Sequence, residues 1–259
     1  MKKSIAVLCV LLFLVVGATG CLTTPPNTLT QISTIDAILA GAYDGQITCK
    51  ELLLYGDFGI GTFDRLDGEM ILTGGKIYQV KDDGKVYTPS TSLSTPFASV
   101  VKFDTDIATS VDKETNFHGL EQIVDGAVSN INAFCAIRVK GLFRSMKTRS
   151  VPAQNKPYAP LVEITRNQPV FNSGQTTGTV VGFRCPVYVK GINVPGYHLH
   201  FISEDFTFGG HILEFILEKG TVEIDTCNKF FLILPEDENT FGEIDLSLDR
   251  SGELEEAER

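Results

Sequence analysis

Three of the four histidines in this 259-residue chain fall within one stretch, GYHLHFISEDFTFGGH, residues 196–211. His198 and His200 flank Leu199 in a segment whose pattern reads as a strand. Residues two apart on a strand leave the same face about 6–7 Å from each other, so both imidazoles can converge on one ion. SEDFTFGG then supplies a turn, and HILEFIL opens a neighbouring strand with His211 at its head. Three neutral imidazoles suit zinc and leave a coordination position for solvent or substrate. Polar residues scattered on a sheet have no reason to cluster in a chain so sparing with histidine. His198, His200 and His211 are therefore expected to hold one metal ion, Zn2+. His118 stands apart at the start of a helical pattern and reads as a surface or capping residue.

An H-x-H pair does not by itself name a chemistry. It occurs in carbonic anhydrases, and HLHFISE approximates the H-x-H-x3-E core of the first cupin motif, with Glu204 as the acid. The second cupin motif is missing, and Glu204 and Asp205 read better as turn or surface acids. On the histidines alone, two other readings stay open. One is a cupin-like or carbonic-anhydrase-like enzyme for another small molecule, and the other is a zinc-binding lipoprotein without catalysis.

Around these residues the chain divides into recognisable pieces. Lys2 and Lys3 precede an apolar run from Ile5 to Val16, too short for a bilayer, which takes about 20 residues, but suited to a secretory signal. Small residues follow, and Cys21 comes directly after Ala18-Thr19-Gly20. This resembles the lipobox of prokaryotic lipoproteins, so residues 1–20 are expected to be removed and Cys21 lipidated, anchoring the protein outside the cell membrane. Plain cleavage and secretion is the alternative. Residues 21–32 read as a polar, proline-bearing linker.

Lysine and arginine number 22 against 32 aspartates and glutamates, a net charge of −10. Such a surface repels nucleic acid, and an anionic small substrate would need a local cation to hold it. Of the cysteines beyond the leader, Cys49, Cys135, Cys185 and Cys227 are widely spaced with no C-x-x-C pair. Export permits disulfides among them, although Cys135, in AFCAIRV, reads as a buried thiol.

STIDAILAG predicts a short helix capped by Ser33 or Thr34 and stopped at Gly41. From Glu51 to Val86 the pattern is strand and turn, with turns at Gly74-Gly75 and Asp83-Gly84. Leu120, Ile123, Val124, Ala127, Val128 and Ile131 recur at helical spacing. Long β segments then dominate. The fold expected is α+β: two parts built on mixed and antiparallel, half-barrel-like sheets with few helices, and the metal between them. PAQNKPYAP is the expected joint, giving parts 33–150 and 151–259.

Four stretches carry a resemblance that covers nearly all of the mature chain: YGDFGIGTFDRLDGEMI, KTRSVPAQNKPYAPL, GTVVGFRCPVYV and VPGYHLHFISEDFTFGGHILEF. In order and content they resemble α-acetolactate decarboxylase. That resemblance implies conversion of 2-acetolactate to acetoin and carbon dioxide at a zinc held by His198, His200 and His211. It also implies an acidic residue at Glu69, an arginine at Arg149, a pocket-lining Thr62, and a tail glutamate beside the metal. Glu258 is the better match for the last and Glu255 the second choice. A homodimer is expected, with no nucleic-acid partner.

The chemistry expected follows from the substrate. Loss of carbon dioxide leaves an electron pair on the carbon that bore it, and the adjacent ketone accepts that pair if its oxygen is polarised by a Lewis acid such as zinc. The resulting enediolate takes a proton on one face from a positioned acid, for which Glu69 and Glu258 are the candidates. Arg149 supplies the cation for the substrate carboxylate, orienting it more than binding it tightly.

Overall fold

The computed structural model describes residues 24–236 and 240–258. The leader, residues 1–20, and Cys21 lie outside the described residues. Two seven-stranded sheets form the frame of the described residues. The first runs in the order Lys229–Ile233, Thr28–Ile32, Ala98–Val101, Phe58–Thr62, Glu69–Thr73, Lys76–Val80, Val86–Tyr87. Its neighbours are antiparallel, except that Thr28–Ile32 lies parallel to Lys229–Ile233.

The second sheet closes partly on itself. Phe134–Arg149 pairs with Thr176–Cys185, that strand with Gly196–Ser203, and that with Gly209–Cys227, which pairs back onto Phe134–Arg149. Ile107–Val111 and Thr115–Asn116 add to Gly209–Cys227, and Val170–Ser173 adds to Phe134–Arg149. The architecture is the expected α+β one, with mixed and antiparallel sheets and few helices.

Period-two burial decides which side chains meet between the sheets. Phe58, Ile60, Ile71 and Val80 of the first sheet pack against Val181, Phe183, Cys185 and Ile202 of the second. Met70 and Leu72 point the other way, onto the helix Cys49–Leu52. Leu199 and Phe201 face a separate core closed by the helix Phe117–Ala127 through Leu120 and Val124. The alternation sends Thr62, Glu69, His198 and His200 to the same interlayer side as Ile60, Ile71 and Ile202. The site is thus the polar end of the core between the sheets.

Several local expectations change. The division at residue 150 does not follow the sheets, because Ile107–Val111, Thr115–Asn116 and Phe134–Arg149 all belong with the histidine-bearing strands. Residues 152–160 join Phe134–Arg149 to the helix Leu161–Thr165. Residues 28–32 form a fully buried strand, so the expected linker ends earlier. Glu51 and Leu52 are helical because Thr48 and Glu51 make a capping box, which draws the backbone away from the strand their apolar neighbours suggest.

The helix expected up to Ile131 ends at Ala127, and Ile131 is 76% exposed. Thr34 caps the first helix, Gly41 follows with φ at 100°, and the turns at Gly74, Gly75 and Gly84 all have positive φ. Cys49, Cys135, Cys185 and Cys227 are buried free thiols.

Candidate active site

His200 and His211 sit directly opposite each other where Gly196–Ser203 pairs with Gly209–Cys227. His198 lies two residues before His200, on the same face. The three rings come together with centroids 5.0, 5.1 and 5.4 Å apart, and one ring nitrogen from each lies within 4.8 Å of the other two. Sheet periodicity and one short hairpin suffice to assemble the triad.

The donor set fits a metal ion. His200 Nδ1 lies 3.0 Å from the carbonyl oxygen of Met70. A carbonyl can only accept, so Nδ1 carries the proton and donates, which leaves the Nε2 lone pair facing the other histidines. Burial pushes His198 down to about 3 and holds His200 and His211 well below the usual histidine range. All three are therefore neutral at ordinary pH, the ligating form.

Two carboxylates flank the ring nitrogens. Glu69 begins the strand Glu69–Thr73, and its Oε2 lies 3.5 Å from His200 Nε2. The tail supplies the second. Residues Ser251–Glu258 form a helix that buries Leu254 and Ala257, and at 100° per residue Glu258 shares their face. Its Oε2 lies 3.7 Å from His211 Nε2 and 4.0 Å from His198 Nε2. Glu255 falls outside that face and is exposed, so the tail glutamate at the site is Glu258. Burial pushes Glu69 up to about 8, lowered in part by Arg149 and raised by Glu258, and pushes Glu258 up to about 7 against the pull of Arg149. A divalent cation would draw both downward.

Arg149 ends the strand Phe134–Arg149 opposite His211 and is 5% exposed. Its Nη2 donates to the backbone carbonyl oxygen of Ala257 and, at 3.2 Å, to His211 Nε2. Thr62 is paired with Glu69, and its hydroxyl donates to the carbonyl oxygen of Gly68 at 2.8 Å. Gly68 has φ at 85°, a conformation that suits glycine, and a Cβ there would meet the carbonyl oxygen of Val80 at 2.2 Å. The turn that presents Glu69 is built on that glycine.

Thr62, Glu69, Arg149, Glu258 and the three histidines all line one cleft. Sequence reasoning missed the rest of its wall: Ile35, Ile38, Leu66, Phe97, Val151 and Leu161, with Gln168 among them. Apolar residues like these look identical to core residues in a sequence and carry no signal of their own. Glu204 lies exposed in the hairpin, its backbone N–H bonded to the carbonyl of Thr177. It cannot serve as a cupin-type ligand. Asp205 caps the same turn by accepting from Ser203 and Thr207. His118 is far along the surface, bonded to Glu121 and Gln122.

Comparison with known proteins agrees with this geometry. Residues 29–248 match the family model for alpha-acetolactate decarboxylase, a span that ends before Glu258. An alpha-acetolactate decarboxylase of Methanosarcina mazei is 47% identical over 209 residues, 81% of this chain and 73% of that protein. One from Methylococcus capsulatus is 44% identical over 228 residues, 88% of this chain and 87% of its own. The crystal structure of the Bacillus subtilis strain 168 enzyme superposes with a TM-score of 0.87 at 38% identity, covering 89% of this chain and 99% of the other. With its fold and most of its length shared with these enzymes, the chain belongs to the alpha-acetolactate decarboxylase family.

Proposed function

We propose that the protein decarboxylates 2-acetolactate to acetoin and carbon dioxide in the cleft between its two sheets. One observation beyond family membership carries this reading. Three neutral imidazoles, two carboxyl groups and one buried guanidinium line a single cleft whose remaining wall is mostly apolar. That set matches a small anion with two methyl groups and three kinds of oxygen.

His198, His200 and His211 would hold the ion, and zinc suits three nitrogen ligands with a position left open. When bound, it supplies a Lewis acid for the substrate's ketone oxygen. Arg149, held against the tail through Nη2, keeps positive charge beside the substrate carboxylate and orients it. The bond to that carboxylate breaks heterolytically, its electron pair passing toward the ketone to give an enediolate. One proton must then reach the carbon that bore the carboxylate.

Glu69 and Glu258 approach the histidines from different elements, one from a strand and one from the tail helix. A proton held by either carboxyl lies close to the reacting carbon, and its position decides which face receives it. Thr62 fixes the turn before Glu69. The apolar wall accommodates the methyl groups and limits water.

The direct test is to incubate the purified, zinc-loaded protein with 2-acetolactate and measure acetoin and carbon dioxide. Stoichiometric release of both is expected, with one acetoin enantiomer dominant. Absence of acetoin from a folded, metal-loaded sample would refute the reading.

A further inference from the structure

Among the described residues that line the cleft with the histidines, Gln168 is the one with an uncharged amide. It follows the helix Leu161–Thr165, and its backbone is tied down on both sides. Its N–H donates to the carbonyl oxygen of Thr165, and the carbonyl of Pro169 accepts from the N–H of Ser150. Val170 is then paired with Arg149. The chain therefore holds Gln168 close to the arginine that the proposed reaction gives to the substrate carboxylate.

One atom of the side chain is left unsatisfied. Its Oε1 is buried and has no hydrogen-bond partner. Buried amide oxygens in folded proteins are nearly always paired, and an orphan costs stability. Nearby polar groups do not relieve it: Thr165 donates to the carbonyl of Val162, and the hydrogen bonds of Arg149 run from Nη2 to Ala257 and His211. A group that destabilises the free protein at the wall of its cleft is the pattern left when function and stability compete.

We propose that Gln168 is a substrate-binding residue whose amide hydrogen-bonds the hydroxy-acid end of the substrate beside Arg149. The inference rests on the proposed decarboxylase reading for the identity of that substrate. An amide offers an acceptor to the tertiary hydroxyl and, after a half-turn, donors to the carboxylate. It adds no charge, so it orients the carboxylate without opposing its departure. A ligand of this class gives the amide the partner that the protein withholds.

The test uses Gln168→Met, which keeps the length and removes the amide, and Gln168→Glu, which places an acid beside the substrate carboxylate. Steady-state kinetics with 2-acetolactate are combined with calorimetric binding of 2-hydroxy-2-methylpropanoate, a hydroxy acid with no ketone to receive the electrons. In Gln168→Met, KM and the probe's Kd should both rise roughly tenfold, the worth of one such hydrogen bond. Zinc content should stay unchanged, and the Tm of the free protein should rise by about 2–4 °C as the orphan is removed. Gln168→Glu should weaken the probe further still.

Unchanged KM and Kd in Gln168→Met would overturn the proposal, as would a lowered Tm with lost zinc, which marks a structural role. Wild-type protein that binds no probe would also overturn it. If wild type binds the probe but forms no acetoin, the decarboxylase reading falls, while the probe's Kd in the variants still judges Gln168.

Discussion

The guanidinium of Arg149 donates to the backbone carbonyl oxygen of Ala257, the residue immediately before Glu258. One side chain thereby fixes the tail helix and presents a cation to the cleft. Arg149→Lys keeps the charge but loses the planar fork. Its kcat/KM should fall about 10²-fold, the scale of losing a charged, buried hydrogen bond. Limited proteolysis followed by mass measurement should show the tail becoming cleavable. Full activity with a protected tail would separate Arg149 from both tasks.

The histidines should act as one metal site. Chelation should abolish activity and lower Tm, because an ion that binds only the folded protein stabilises it by mass action, and added zinc should restore both. His200→Ala and His211→Ala should each lose most of the bound metal by elemental analysis. Stoichiometric metal in a His198→Ala, His200→Ala double variant would remove the site.

Glu258 can be tested without disturbing the fold. Deleting residues 254–259 would also remove Leu254 and Ala257 from the core they share with Ile35, Leu39 and Val151, so the truncated protein should lose stability, by roughly 2–4 kcal/mol if the loss resembles a buried leucine-to-alanine change. Glu258→Gln leaves that packing intact. Its zinc content and Tm should match wild type, while turnover falls about 10²-fold and the acetoin loses enantiomeric purity. Glu255→Gln, off the buried face, should change neither. A Glu258→Gln protein with full turnover and one enantiomer would leave the proton to Glu69.

Asp225 offers a test of stability away from the site. Burial, with Asp106, Asp104 and Asp57 nearby, pushes it up to about 6, even though it accepts a bond from the N–H of Asp104. A folded-state value above the unfolded one, about 3.9, means that the folded chain binds the proton more tightly. Its stabilising contribution is complete below pH 4 and is lost as pH rises through 6. Asp225→Asn keeps an acceptor for Asp104 and removes the charge. Its Tm should exceed wild type at pH 7.5 by about 3–6 °C, for roughly 1–2 kcal/mol, and the difference should vanish near pH 4. A difference independent of pH would contradict this assignment.

Membrane attachment through Cys21 is a separate proposal. The native protein should partition with membranes and begin at residue 21, and Cys21→Ser should be released or left unprocessed. A wholly soluble wild-type protein with another N-terminus would refute the anchor and leave the enzyme untouched.

Short-range rules made much of the site legible. The period of two that places His198 beside His200 is a property of any strand, and a short hairpin brings His211 opposite. Gly68, Gly74, Gly75 and Gly84 mark turns because positive φ is cheap only for glycine. Alternating apolar residues announced sheets with one face turned inward. The roles expected of Glu69, Arg149 and Glu258 came from resemblance, since an isolated glutamate or arginine in a sequence looks like a solvated charge.

Only the tertiary structure decided what those residues face. Which sheet takes Phe134–Arg149 depends on pairing with a strand some 60–90 positions later, and no local pattern encodes such a partner. The Arg149–Ala257 bond spans 108 positions, and the helical face that turns Glu258 inward exists only because Leu254 and Ala257 find a core to enter. The apolar wall of the cleft gathers Ile35, Leu66, Phe97 and Leu161 from separate segments. Along the chain each has the burial signal of any core residue, and the orphaned amide of Gln168 becomes visible only once its neighbours are in place. Local periodicity determined the metal-binding face, and long-range packing determined the cavity around it, because burial and hydrogen-bond pairing belong to the assembled core.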